Sequence, residues 1–329
     1  MKIRTLGTLP TSAIGLGCMG MTSFYGDTDR SESIATIHAA LEAGITLLDT
    51  GDFYAMGANE LLIRDALVGS SKRDRALVSV KFGALRGPDE GWLGFDGRPQ
   101  AVKTFAAYSL KRLGVDHIDI YRPARLDPNV PIEDTIGAIA DLVKAGYVKH
   151  IGLSEVGSET VRRAAAVHPI ADLQIEYSLI SRGLEGTLLK TLRELKIGVT
   201  AYGVLSRGLI SGHWTKPTSA SDYRGHLPRF EGENLAQNLK LVEALRVVAD
   251  EKGVTVAQIA IGWVMAQGQD IVPLVGARTR TRLTESLGAV DLQLSADDLA
   301  RIEAAMPAEA AVGDRYPAYQ MTTLDSERG

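Results

Sequence analysis

Short runs rich in Ile, Val and Leu recur along most of this chain, at 14–19, 46–49, 76–82, 118–124, 150–155, 172–178, 198–205 and 271–276. They lack the apolar–polar alternation of a sheet with one wet face, so they read as strands buried on both sides. Segments with helical spacing lie between them. Residues 31–43 set Ile34, Ile37, His38 and Leu41 on one face, with Ser31 as the expected N-cap. Residues 132–145 group Ile136, Ile139, Leu142 and Val143 ahead of Gly146, a C-terminal stop. Stretches 60–67, 158–167, 186–195, 234–252, 255–267 and 296–304 read similarly. Strict alternation of strand and helix demands right-handed parallel crossovers, and so a doubly wound sheet or a closed barrel. Eight such strands favour the barrel. The expected class is α/β, a (β/α)8 TIM barrel formed by residues 1–329 as one domain. A hairpin-like opening flanks Gly7-Thr8-Leu9-Pro10. Gly15-Leu16-Gly17-Cys18-Met19-Gly20 spells Gly-x-Gly-x-x-Gly, but no helix follows at once, so it does not mark a dinucleotide-binding sheet.

Composition narrows the function classes. A formal charge of −4 gives no electrostatic case for nucleic acid or an anionic membrane surface. Cys18 is the one cysteine, so no intrachain disulfide forms, which fits a reducing compartment. The N-terminus lacks the apolar core of a signal peptide, and no run approaches the ~18 apolar residues of a membrane span. A soluble, cytoplasmic protein is expected.

Connections 83–99, 206–233 and the tail 307–329 are long, and the first two leave strand C-termini, the face where barrels carry chemistry. The middle one offers His213, Trp214, Tyr223, His226 and Phe230 as aromatic walls. On the same face, Asp49 ends the second strand, Tyr54 lies in the loop beyond it, and Lys81 stands among apolar residues of the third. A lysine in such a run needs a partner, and Asp49 can supply it. Lys81 would stabilise the phenolate of Tyr54, making the phenol a proton donor at neutral pH. Acid, cation and orienting anion are what hydride addition to a carbonyl needs besides the hydride, and no side chain donates hydride, so a cofactor is implied. The glycines and Ser206 within 203–208 suit close backbone approach to a pyrophosphate. Arg278, Arg280 and Arg282, between the last strand and a helix, form a basic cluster suited to a 2′-phosphate.

In order and setting, Asp49, Tyr54 and Lys81 resemble three of the four catalytic residues of the aldo-keto reductases. The resemblance runs nearly to the end of the chain and implies an NADP(H)-dependent oxidoreductase acting on a carbonyl or alcohol, with NAD(H) admissible and no metal. It implies a nicotinamide carboxamide contacted by Ser154, Glu155 and Gln174, and a ring stacked on Tyr202. Gly17, Cys18, Met19, Gly203, Val204, Leu205, Ser206, Gly208 and Gly276 would complete the cofactor site. Arg278 and Arg282 would take the phosphate, with Glu285 and Ser286 near the adenine. Phe24, Tyr25, Trp92 and Ala124 would line the substrate pocket. The partner is a small molecule, and homo-oligomerisation is open.

The fourth catalytic residue, a His, is absent. Arg125-Leu126-Asp127-Pro128-Asn129-Val130-Pro131-Ile132-Glu133 matches the text that follows that His in similar proteins, and counting back puts Ala124 in its place. His117 and His150 lie near strand beginnings, the wrong end of the barrel. Arg122 reads either as a substitute donor or as an inward arginine paired with Glu155 or Glu176. Without the His, two other readings stay open: a cofactor-binding sensor with little turnover, and an NADP-dependent isomerase or lyase.

Overall fold

The computed structural model describes residues 1–22, 24–70, 72–214 and 222–328; positions 215–221 of the long middle connection and residue 329 of the tail lie outside the described residues. The strands are β1 (Ile3–Leu6), β2 (Leu9–Ser12), β3 (Gly15–Gly17), β4 (Leu47–Gly51), β5 (Leu77–Phe82), β6 (Ala84–Arg86), β7 (Trp92–Phe95), β8 (Ile118–Pro123), β9 (Val148–Ser154), β10 (Ile170–Glu176), β11 (Gly198–Tyr202) and β12 (Ile271–Gly276). Strands β3, β4, β5 and β8 to β12 close into a parallel barrel, with β12 pairing back onto β3 through Leu274 and Gly15. All eight expected strands are present. The helices are α1 (Arg30–Glu42), α2 (Ala58–Leu67), α3 (Pro99–Leu113), α4 (Ile132–Lys144), α5 (Ser158–Val167), α6 (Thr187–Glu194), α7 (Gly232–Glu251), α8 (Val256–Ala266), α9 (Arg280–Leu287), α10 (Ala296–Ala305) and α11 (Ala318–Met321).

Two apolar regions hold this together. The larger lies between the barrel wall and the helices. The smaller sits inside the barrel near its N-terminal end, where Leu47, Ile120, Val272 and Leu274 meet Leu6 and Leu9 of the β1–β2 hairpin. The hairpin therefore plugs that end. Arg4 ties it down by donating to the carbonyls of Ile271 (2.6 Å) and Met265 (2.7 Å), the latter in the last turn of α8, where cations are favoured.

Local capping follows side-chain chemistry. α1 is capped by Asp29, whose carboxylate accepts from Glu32 N, rather than by Ser31, which already lies inside the first turn. Thr255 with Gln258, and Ser295 with Asp298, form capping boxes on α8 and α10. Gly146, with φ of 85°, ends α4 as expected.

The plug predicts its own weak point. A Cβ at Gly198, the first residue of β11, would lie 2.5 Å from Leu6 Cα and 3.0 Å from Gly7 N, backbone atoms that cannot rotate away. Gly198→Ala should cost about 1–3 kcal/mol, read as a lower melting temperature with the far-ultraviolet spectrum retained. An unchanged melt would show that the hairpin does not bear on the barrel floor.

Candidate active site

A cavity of about 1420 Å³ opens at the C-terminal end of the barrel, the end opposite the plug. At its base, Lys81 Nζ donates to Asp49 Oδ2 at 2.5 Å and to the Thr50 carbonyl at 3.0 Å. Parallel pairing sets this up: Asp49 faces Ser79 in register, and Gly51 faces Lys81. Asp49 Oδ1 also accepts from Ser79 Oγ (2.9 Å) and Gln174 Nε2 (2.7 Å), and Arg122 Nη1 stands 3.6 Å away. Lys81 Nζ lies 5.1 Å from the Tyr54 ring centroid. The turn that presents Tyr54 is strained, since Ala55 and Met56 both have left-handed φ (47° and 54°) before Gly57 at 92°.

Burial pulls the Lys81 pKa below its ordinary value, and Asp49 opposes that pull. Burial, followed by the charge of Asp49, raises Tyr54 well above the usual phenol range, while Arg125 pulls it back. The acidified phenol expected from the sequence is therefore corrected: desolvation and the charge of Asp49 outweigh the pull of Arg125, and Tyr54 keeps its proton through the neutral range.

Arg122 is corrected as well. It is fully buried, and Nη2 donates to both oxygens of Asp172 (2.9 and 2.8 Å), not to Glu155 or Glu176. Thr200 also donates to Asp172. Room for the guanidinium comes from Gly152, where a Cβ would lie 2.6 Å from both Arg122 Nε and Asp172 Oδ1. Arg122 does not line the cavity. His117 and His150 are also remote from it; His117 stands 3.4 Å from Asp119.

Most of the residues expected to form the site do border the cavity. Near Tyr54 these are Phe24, Tyr25, Trp92 and Ala124. Along one wall lie Ser154, Gln174, Tyr202, Gly203, Val204, Leu205 and Gly208. Gly17, Met19, Gly276, Arg278, Arg282, Glu285 and Ser286 border the cavity on further strands and on α9. Gln174 Nε2 donates one hydrogen to Asp49 Oδ1. Glu285 accepts from His213 (2.8 Å) and Arg282 (3.0 Å), and Arg278 donates to the Tyr25 carbonyl (2.9 Å). Arg280 faces outward and pairs with Glu32 at 2.9 Å. Of the middle-loop aromatics, His213, Trp214, Tyr223 and His226 border the cavity; Phe230 packs edge-on to Trp214 in the core instead.

Three expected contacts face elsewhere. Cys18 is fully buried, its thiol directed at the Leu16 carbonyl. Ser206 does not border the cavity; its Oγ is buried without a hydrogen-bond partner, and its φ is 44°. Glu155, also left-handed at φ 53°, turns its carboxylate into a cluster behind the wall. There it accepts from Arg315 Nη1 and Nη2 (2.8 and 2.7 Å), Ser326 Oγ (2.7 Å), Tyr202 Oη (2.7 Å) and Glu176 N (2.9 Å). Burial would raise the Glu155 pKa, but Arg315 and then Arg125 bring it down to about 2. Tyr316 Oη meets Tyr202 Oη at 2.9 Å.

The tail, unplaced by sequence, thus backs the wall, and Tyr316, Tyr319, Gln320, Thr323 and Leu324 border the cavity. The available signal was electrostatic: Glu155 and Glu176, at strand ends, required cations that the strands did not provide.

The donor set suits a nicotinamide dinucleotide. The cavity takes in both Tyr54 and the pair Arg278 and Arg282, and Ser154 Oγ is buried on its border without a partner. The parallel barrel thus joins a Tyr–Lys–Asp constellation to a basic end within one cavity. The chain belongs to the aldo/keto reductase family, whose pattern it matches over residues 13–307. Members of that family are oxidoreductases that generally use NAD(P)H and act on small carbonyl substrates. The chain is similar to "Probable aldo-keto reductase 1" of Glycine max, with 40% identity over 322 residues, covering 96% of this chain and 91% of that protein. Among solved structures it resembles the glycerol dehydrogenase AKR11B4 from Gluconobacter oxydans (TM-score 0.82, 27% identity, 92% of this chain and 94% of that one). It also resembles the holo form of the aldo-keto reductase AKR11C1 from Bacillus halodurans (TM-score 0.76, 27% identity, 95% and 98%). No helix among the described residues is long and apolar enough to cross a membrane.

Beside Tyr54, Asp52 carries a second testable consequence. Its Oδ1 is buried without a partner, and burial with the nearby charge of Glu60 raises its pKa to about 7. An unfolded aspartate titrates near 3.8. The ionised carboxylate therefore opposes folding in full above about pH 7, progressively less down to 3.8, and not below. Asp52→Asn should stabilise by on the order of 3 kcal/mol at pH 8, with the gain fading to nothing by pH 3.5 in melting curves. A gain independent of pH would contradict this.

Proposed function

We propose that the protein is an NADP(H)-dependent oxidoreductase that interconverts a carbonyl compound and its alcohol, with Tyr54 as the general acid and base. The observation that carries this reading is the Lys81–Asp49 pair at 2.5 Å, set beneath Tyr54 at the closed end of the cavity. Similarity to a glycerol dehydrogenase supports an alcohol–carbonyl couple.

Bound nicotinamide supplies or accepts the hydride. The chain's own residues handle the rest. Tyr54 enters reduction protonated, because burial holds its pKa high. As the substrate oxygen gains alkoxide character it becomes far more basic than a phenol, so Tyr54 Oη gives up its proton at that point and not earlier. Lys81 then faces the phenolate, and Asp49 keeps Lys81 charged despite its burial. Tyr202, held through its hydroxyl by Glu155 and Tyr316, offers a fixed ring face for stacking. Ser154 offers a donor to the cofactor, and Gly203, Val204 and Leu205 bring the backbone close to it. Arg278 and Arg282 favour the 2′-phosphate of NADP(H) over NAD(H).

Two measurements test the reading. Tyr54→Phe should lower kcat at least 100-fold on a panel of aldehydes and ketones while NADPH binding, followed by fluorescence, is retained; wild-type binding of NADPH without turnover of any carbonyl would favour a sensor instead. Arg278→Ala should weaken NADPH about 10-fold or more and leave NADH nearly unaffected. Equal weakening of the two would remove the phosphate assignment.

A further inference from the structure

Arginines are abundant around the cavity, and those buried near it carry their own carboxylates. Arg122 has Asp172 at 2.8 Å, Arg207 has Glu176 at 3.0 Å, Arg224 has Asp222 at 2.6 Å, and Arg315 has Glu155 at 2.7 Å. Arg125 differs. It leaves the end of β8 directly after Ala124, half-buried on the cavity border, and among the described residues no carboxylate lies within ion-pair distance of it. Its one hydrogen bond is from Nη1 to the Ala124 carbonyl, at 2.7 Å. It shares the cavity border with Tyr54, Lys81 and Tyr202, and its charge acts on all three.

Arg125 commits one hydrogen bond to the Ala124 carbonyl, and the remaining planar donors of its guanidinium match a carboxylate. The cavity's own carboxylates do not meet the need. Asp49 is held by Lys81, Glu285 by His213 and Arg282, and Asp27 and Glu90 are exposed. Glu155 acts on Arg125 through space, but its oxygens are filled by Arg315, Ser326 and Tyr202. Farther out, Arg86 stacks over Trp92 (4.3 Å) with a buried, unpartnered Nε, so the approach also has a positive side chain on its wall.

We propose that Arg125 is a specificity-determining residue that receives the carboxylate of an oxo-acid substrate and so sets its carbonyl against the Tyr54 hydroxyl. This rests on the oxidoreductase reading above. In the reaction the carbonyl carbon gains a hydride from NADPH, its oxygen gains the Tyr54 proton, and the carboxylate is unchanged. Ala124 supplies the space that lets the guanidinium and a bulky acid share this wall.

The test compares ω-oxo carboxylates of three to six carbons with their methyl esters, using the full-length protein and NADPH. Wild type should prefer acid over ester about 10- to 100-fold in kcat/KM, mainly through KM. Arg125→Met should bring that ratio to about 1, Arg125→Lys should restore part of it, and both variants should retain NADPH binding. A ratio near 1 in wild type, or one that survives in Arg125→Met, overturns the proposal. So does an equal loss on acid and ester through kcat, which would assign Arg125 to the carbonyl oxygen. If no carbonyl is reduced, the oxidoreductase reading fails separately, and benzoate titration of the NADPH-bound protein decides for Arg125. Binding at least 10-fold weaker in Arg125→Met sustains the carboxylate site, and equal binding removes it.

Discussion

A chain of buried charges runs through the middle of the barrel: Lys81 to Asp49, Arg122 beside Asp49, and Asp172 on Arg122. The base of the cavity takes its position from this chain. Each ion offsets the desolvation of the next, so none could be buried in this way alone. The price is rigidity of register, because Asp49, Lys81, Arg122 and Asp172 come from four strands and a one-residue slip of any strand would turn its charge outward into the apolar layer. The same network therefore fixes both strand register and the place of the ammonium under Tyr54.

A second cluster does for the cavity wall at Tyr202 what the first does for Lys81. Glu155 and Glu176 are buried at the ends of β9 and β10, and each collects arginines. Arg315 serves Glu155, and Arg207 serves Glu176 with Arg229 at 3.6 Å. Burial pushes the Glu176 carboxyl upward, but these cations hold it below the ordinary range. Tyr202 is bound into this cluster by its hydroxyl, so the ring face it turns to the cavity is stiffened from behind. In this second cluster the barrel strands supply the carboxylates, and the cations come from the middle connection and the tail.

The barrel was legible because its strands are buried on both faces and so appear as uninterrupted apolar runs, and because Gly and Pro punctuate the turns. Asp49, Tyr54 and Lys81 were legible because a lysine inside such a run demands an explanation. Other parts were not. Helix α3 buries only Val102, Ala106, Ser109 and Leu113, and two of those four side chains are too small to register as an apolar stripe. The partner of Arg122 was misassigned because Asp172 stands at the start of its sequence run and looked like a boundary residue. It is in fact inside β10, opposite a glycine whose missing side chain cannot be noticed until Arg122 is seen to fill it. The direction of the Tyr54 shift was misread because sequence names the neighbouring charges but not the depth at which they sit.

The Arg315–Glu155 clasp bears on the order in which the molecule matures. The ring of strands becomes complete once β12 has met β3, when residues up to Gly276 are in place. Glu155 at that stage has no guanidinium against it, and the Tyr202 hydroxyl lacks Tyr316. A chain whose strands had closed but whose tail had not docked would thus have a complete barrel and an unclasped wall behind Tyr202. The wall's closure thus depends on a segment that adds no strand to the barrel it seals.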